Sequence, residues 1–92
     1  MSAITVTIQL FGAFRNYSSY FENNCVELEY DNPCEIREIR QMFKKALEEK
    51  SSEFNEPLLN QSVFANDKNI LSERTIINES TRLVVLPPIS GG

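Results

Sequence analysis

Apolar and polar positions along this chain follow two periods. Residues 4–10, Ile-Thr-Val-Thr-Ile-Gln-Leu, alternate strictly, with Ile4, Val6, Ile8 and Leu10 on one face and Thr5, Thr7 and Gln9 on the other. That alternation predicts a half-buried strand. Residues 25–30 alternate again, Val26, Leu28 and Tyr30 against Glu27 and Glu29. Between them lies Phe-Gly-Ala-Phe-Arg-Asn-Tyr-Ser-Ser-Tyr-Phe, which predicts a wide hairpin loop, with Gly12 suited to a turn. Asn32-Pro33 breaks the chain. From Glu35 to Lys50 the period lengthens. Ile36, Ile39, Phe43 and Leu47 recur at helical spacing, and Met42 and Ala46 widen the stripe. Glu35 and Glu38 suit the positive end of a helix dipole, whereas Glu48 and Glu49 oppose the negative end and predict fraying there. Cys34 stands in the cap position, which cysteine fills poorly.

After the helix, residues 51–60 are polar, contain Pro57 and predict a connector. Gln61–Asn66 predicts a short strand, Asn66-Asp67-Lys68-Asn69 a tight turn, and Ile70-Leu71 a brief edge strand. Thr75–Asn78 fits neither period. Arg82–Leu86, Arg-Leu-Val-Val-Leu, is almost wholly apolar, which predicts a central strand covered on both faces. Strands on either side of one long helix predict an α+β layer pair, a mixed sheet with one main helix across one face. The order of hairpin, helix and late central strand is that of a ubiquitin-like β-grasp roll. The expected organisation is one domain, residues 1–86, followed by a flexible, extended tail, residues 87–92.

Length and composition narrow the function. A 92-residue chain with 41% apolar and 24% charged residues can fold as one small domain. A net charge of −4 argues against nucleic acid and against an anionic membrane surface as partners. The first residues carry no basic segment or long apolar run, and no stretch approaches a membrane span, so the expected location is cytoplasmic. Cys25 and Cys34 fit reduced thiols in such a compartment. Histidine is absent, which rules out Ser/His/Asp and Cys/His nucleophile systems and removes the commonest metal ligand. Two cysteines nine positions apart do not make a zinc site. The chain is therefore expected to be non-catalytic alone, with no bound cofactor or metal.

The chemistry concentrates at the end of the sequence. Of three glycines, two are Gly91 and Gly92, preceded by Pro87-Pro88-Ile89-Ser90. Proline donates no ladder hydrogen bond, and a Pro-Pro pair prefers a stiff, extended backbone. The six residues after Leu86 can reach roughly 20 Å. Glycines without Cβ let backbone enter a narrow channel, led by the α-carboxylate. A carboxylate is a poor electrophile. Joined to AMP as an acyl-adenylate, it can be attacked by sulfur to give a thiocarboxylate. Gly92 is thus the candidate reactive residue, and Pro87, Pro88, Ile89, Ser90 and Gly91 form the candidate partner-binding tail.

The tail Arg-Leu-Val-Val-Leu-Pro-Pro-Ile-Ser-Gly-Gly resembles that of the small subunit of molybdopterin synthase, a ubiquitin-like sulfur-carrier family related to the thiamine sulfur carrier. Pro87 to Gly92 match its pattern at every position. Residues 7–17 resemble its first strand and Phe-x-x-x-Arg segment, with Phe11, Gly12 and Arg15 in place, and residues 62–70 resemble its Val-x-Val-Asn turn before the final strands. Asn78-Glu79-Ser80 stands where the family often carries a Gly-containing acidic turn. The resemblance implies that an ATP-using, E1-like adenylating enzyme activates Gly92. It further implies that a donor converts Gly92 to a thiocarboxylate, and that a large synthase subunit, in a heterotetramer, takes the tail and passes sulfur to a pyranopterin precursor in molybdenum cofactor biosynthesis. Open alternatives are a carrier for thiamine or another thiolation pathway, a ubiquitin-like protein modifier, and an interaction module with an idle tail.

Other side chains carry weaker readings. Phe11, Phe14, Tyr17, Tyr20 and Phe21 are expected to be mostly core, the alternative being a partner-facing patch. Arg15, Arg37, Arg40, Arg74 and Arg82 are expected to be mostly solvated. Lys44, Lys45, Glu48 and Glu49 read as an exposed helix face with contacts one turn apart.

Overall fold

A computed structural model describes residues 3–88. Strand β1 (Ile4–Gln9) pairs antiparallel with β2 (Cys25–Tyr30) and parallel with β7 (Thr81–Leu86). Strand β4 (Val63–Ala65) pairs antiparallel with β7 on its other side and with β5 (Ile70–Leu71) at the edge. The sheet order is β2-β1-β7-β4-β5, so β7 is central. A second, two-stranded ladder joins β3 (Cys34–Glu35) to β6 (Ile76–Ile77). Helix α1 (Ile36–Lys50) crosses one face of the large sheet, and a short helix α2 (Glu56–Asn60) follows it.

The core lies between α1 and that face. Ile8 stands opposite Val26 and Leu83, and Phe64 opposite Val85, so these side chains share one side of the sheet. They are buried there with Ile36, Ile39, Phe43 and Leu47 of the helix. Phe43 sits at the junction. Its ring centroid lies 5.9 Å from Phe14 and 5.7 Å from Phe64, the latter edge-on at 83°. Each such side chain contributes about 1.5–3 kcal/mol by leaving water.

Several expectations are corrected. The wide loop after β1 is a 3-10 segment, Gly12–Tyr20, followed by a short turn, Glu22–Asn24. Its aromatics divide: Phe14 and Tyr17 are buried, while Phe11 is 51% and Tyr20 46% exposed. The helix cap is Glu35, not Cys34, and its N–H donates to Glu38 Oε2 at 2.8 Å. The expected fraying at Glu48 and Glu49 is not seen. The α-helix continues to Lys50, and Ser51 N–H donates to the Leu47 carbonyl at 2.9 Å. Leu47 is fully buried, which anchors that turn against the adverse dipole. The polar connector contains α2, capped by Asn55, whose Oδ1 accepts from Leu58 N–H at 3.1 Å. Lys44 makes its contact not one turn along α1 but across to α2, Nζ to Glu56 Oε2 at 2.6 Å. Finally, β7 is covered on one face only: Leu83 and Val85 are buried under α1, whereas Val84 and Leu86 are half-exposed on the other side.

Arg40 is a further correction, because it is buried rather than solvated. Its guanidinium makes a two-pronged pair with Glu73, with Nε at 2.9 Å from Oε1. It also donates to the Leu59 carbonyl at 2.6 Å and lies 5.1 Å from the Phe64 ring centre. One side chain thus ties α1 to α2, to the loop before β6 and to the sheet. Arg40→Ala would remove the paired guanidinium from Glu73 and the cation–ring contact, and would leave the Leu59 carbonyl only its backbone donor, Ser62 N–H at 3.0 Å, a loss of about 2 kcal/mol. Urea unfolding of the variant measures it.

Candidate functional site

The candidate site begins where β7 ends. Leu86 is still in the ladder, opposite Val63. Pro87 follows and cannot extend the pairing, since it has no N–H. Pro87 is half-buried and Pro88 is exposed. The remaining predicted site residues, Ile89, Ser90, Gly91 and Gly92, lie outside the described residues. The structure therefore places the root of the predicted tail and two of its six members. Pro87, the first of them, rests against the domain.

What Pro87 rests on is Gly12. Gly12 has φ of +57°, a left-handed conformation that side-chain-bearing residues rarely adopt. A Cβ at that position would stand 2.7 Å from Pro87 Cγ and 3.4 Å from Cδ. The turn is held from behind by a reciprocal pair: Leu10 N–H donates to the Asn24 carbonyl at 2.9 Å, and Asn24 Nδ2 donates to the Leu10 carbonyl at 2.9 Å. Asn23 and Asn24 themselves have positive φ, which asparagine tolerates. The sequence marks Gly12 as a turn residue but gives no sign that it meets the tail. The one available signal is that it is the sole glycine outside the Gly-Gly pair.

The sheet side away from α1 is half-open and divides in two. Toward β4 and β5 it is apolar, since Val84 stands opposite Ala65, Ala65 opposite Ile70, and Leu86 opposite Val63. Ile70 is 67% exposed. Toward β2 it is polar, where Thr7, Glu22, Asn23, Cys25, Glu27 and Arg82 line an open depression of ≈600 Å³. Arg82 Nη2 lies 3.4 Å from Cys25 Sγ. Cys34 is on the other ladder, donates from Sγ to the Asn32 carbonyl at 3.4 Å, and has its thiol pKa pushed up by burial and then by the Glu38 charge. Neither cysteine is in a disulfide. Among the described residues there is no cluster of three or more His, Cys, Asp or Glu able to hold a metal, and no helix long and apolar enough to cross a membrane.

Tyr30 is the strongly perturbed titratable group. Its hydroxyl is buried without a hydrogen-bond partner, and its pKa is raised from 10.0 to about 12, chiefly by burial and then by the Cys34 charge. The folded pKa lies above the unfolded one, so the neutral phenol favours the native state. That contribution is complete below pH 10.0 and is lost as pH rises through about 12. An ultraviolet phenolate titration should show one of the three tyrosines ionising last, and Tyr30→Phe should remove that late step.

No protein-family model and no curated protein matches this chain. Solved structures do. SAMP1 from Haloferax volcanii aligns over 96% of this chain and 99% of its own at 16% identity, with a TM-score of 0.67. A candidate molybdopterin converting factor subunit 1 from Pyrococcus furiosus aligns over 94% and 99% at 18% identity, with a TM-score of 0.68. The ubiquitin-like domain of Plasmodium falciparum Dsk2 aligns over 95% and 100% at 4% identity, with a TM-score of 0.59. At these identities the likeness is one of fold. With a mixed five-stranded sheet, one long helix across it and a central last strand, this chain has the ubiquitin-like β-grasp fold.

Proposed function

We propose that this protein is a sulfur carrier whose Gly92 carboxyl is adenylated and converted to a thiocarboxylate. The observation that carries this reading is a Pro-Pro-Ile-Ser-Gly-Gly sequence directly after the central strand of a β-grasp domain. Pro88, the first exposed tail residue, stands past the end of the sheet's ladder at Leu86. The fold likeness to a candidate molybdopterin converting factor subunit supports the same reading.

The mechanism assigns this chain a carrier's share of the work. An E1-like enzyme supplies ATP, and the Gly92 carboxylate attacks its α-phosphate, releasing pyrophosphate. A sulfide equivalent then attacks the acyl carbon and displaces AMP. Gly91 and Gly92 contribute by presenting no side chain, so the acyl carbon is open to attack. The acceptor we propose is a pyranopterin precursor held by the large subunit of molybdopterin synthase, the two subunits forming a heterotetramer. Hydrolysis after sulfur transfer restores the carboxylate.

The test is intact-mass spectrometry after incubation with a carrier-activating enzyme, ATP and sulfide. The protein should gain the mass difference between sulfur and oxygen. An unchanged mass, beside a known carrier that converts in the same mixture, would remove the sulfur-carrier reading.

A further inference from the structure

We infer that Gly12 is a positioning residue for the tail: its bare backbone is the seat on which the Pro87 ring fixes the direction in which the tail leaves the domain. The inference rests on the sulfur-carrier reading and extends it to a residue 75 positions upstream of the tail root.

Three observations combine. Gly12 is left-handed, at φ +57°. The space where its side chain would project is occupied by Pro87, with Cγ at 2.7 Å, closer than real Cβ contacts come. The turn holding Gly12 is itself locked to Asn24 through both backbone and side chain at 2.9 Å. The seat is therefore fixed, and the ring resting on it is rigid. A flexible side chain could swing away from an added methyl. A proline ring cannot, because it closes onto its own backbone nitrogen, so moving Cγ moves the main chain. The same ring restricts the residue before it, Leu86, to extended backbone. Gly12 and the end of β7 thus jointly set the tail's exit angle. In reactions limited by placement, an error of an ångström at the reacting atoms costs up to about a hundredfold.

A glycine required only by its φ would behave differently from one required by its contact. Gly12→Ala meets both problems. Gly12→Asn tolerates the left-handed backbone but still places a Cβ against the ring. Gly12→Ala combined with Pro87→Ala removes the ring atoms that clash and leaves the φ problem in place. Contact predicts that Gly12→Asn stays impaired and that the double variant recovers part of the loss, a non-additivity expected of touching residues.

The experiment measures kcat and KM for adenylation of the full chain by the activating enzyme, with thermal unfolding as a check. In the wild type, nuclear Overhauser contacts between Gly12 Hα and the Pro87 ring report the seat directly. The expected result is those contacts present, a fall in kcat/KM of about tenfold or more for Gly12→Ala and Gly12→Asn, and partial recovery in the double variant. Pro87→Ala alone, which adds nothing to the turn, should lower kcat as well as kcat/KM, and it serves if the Gly12 variants fail to fold. Absent contacts in the wild type, full activity in Gly12→Asn, or an unchanged kcat in Pro87→Ala would each overturn the positioning role and leave the carrier reading standing. A wild-type chain that is never adenylated, beside a known carrier that is, would overturn both.

Discussion

Removing Gly92 is expected to leave the domain folded and to cut thiocarboxylate formation by at least about a hundredfold. The reasoning starts from reach. The shortened chain still ends in a carboxylate, now on Gly91, so the intrinsic chemistry is unchanged. What changes is position, because one residue of extended chain spans about 3.3–3.6 Å. A displacement of even 1 Å costs up to about a hundredfold where bound geometry governs the rate. The buried core runs from Ile4 to Val85, so deletion removes no part of it. Unfolding of the shortened chain should match the parent, which separates a lost reaction from a lost fold. Pyrophosphate exchange and intact mass read the activity. A shortened chain that is thiolated at the parental rate would mean that the reacting group is elsewhere.

The parts of this fold legible in the sequence are those whose partners are close along the chain or whose period is long. The alternation in β1 and β2 and the stripe Ile36, Ile39, Phe43, Leu47 each repeat often enough to define a buried face. The parts that were not legible depend on distant partners. Residues 75–78 fit neither period because β6 has two residues, and its role is to close the start of α1. Ile36 N–H donates to the Thr75 carbonyl at 2.9 Å, and Arg37 N–H to the Glu73 carbonyl at 3.0 Å. The orphan donors of a helix start are satisfied there by a loop nearly forty positions downstream, which no local signal announces. Arg40 is similar. It borders the apolar stripe and looks like an ordinary surface cation until Glu73 and the Leu59 carbonyl are brought to it. Pro57 suggested a break, yet proline is tolerated in a helix's first turn, and Asn55 caps it. The candidate site shows the same division. Its chemistry can be read from six consecutive residues, because a main-chain carboxyl needs no converging side chains. Its geometry could not be, because the contact that orients the root joins Gly12 to Pro87, residues far apart in the chain that meet beyond the ends of the paired strands β1 and β7.

Phe43→Ala is expected to be the most destabilising single change in the domain, costing about 3–5 kcal/mol. Phe43 is fully buried and touches two other buried rings on different elements, Phe14 in the 3-10 segment and Phe64 in β4. Truncation loses the transfer energy of the ring and leaves a cavity that neighbours on two separate elements cannot collapse into together. Domains of this kind are stable by about 5–15 kcal/mol, so much of the margin is removed. Near a hundred residues, each kcal/mol corresponds to about 4–8 °C, and the melting temperature should fall by more than about 12 °C. Phe43→Leu retains most of the volume and should cost far less. Because Phe14 lies two residues beyond Gly12, loosening this junction also loosens the seat of the tail. Well below its melting point, the Phe43→Ala chain should therefore still be adenylated, with a raised KM. As temperature rises, it should lose activity in step with its unfolding curve. Urea and thermal unfolding followed alongside adenylation test both statements. A cost below about 1 kcal/mol would show that the three rings do not form the packed junction on which this account of the fold depends.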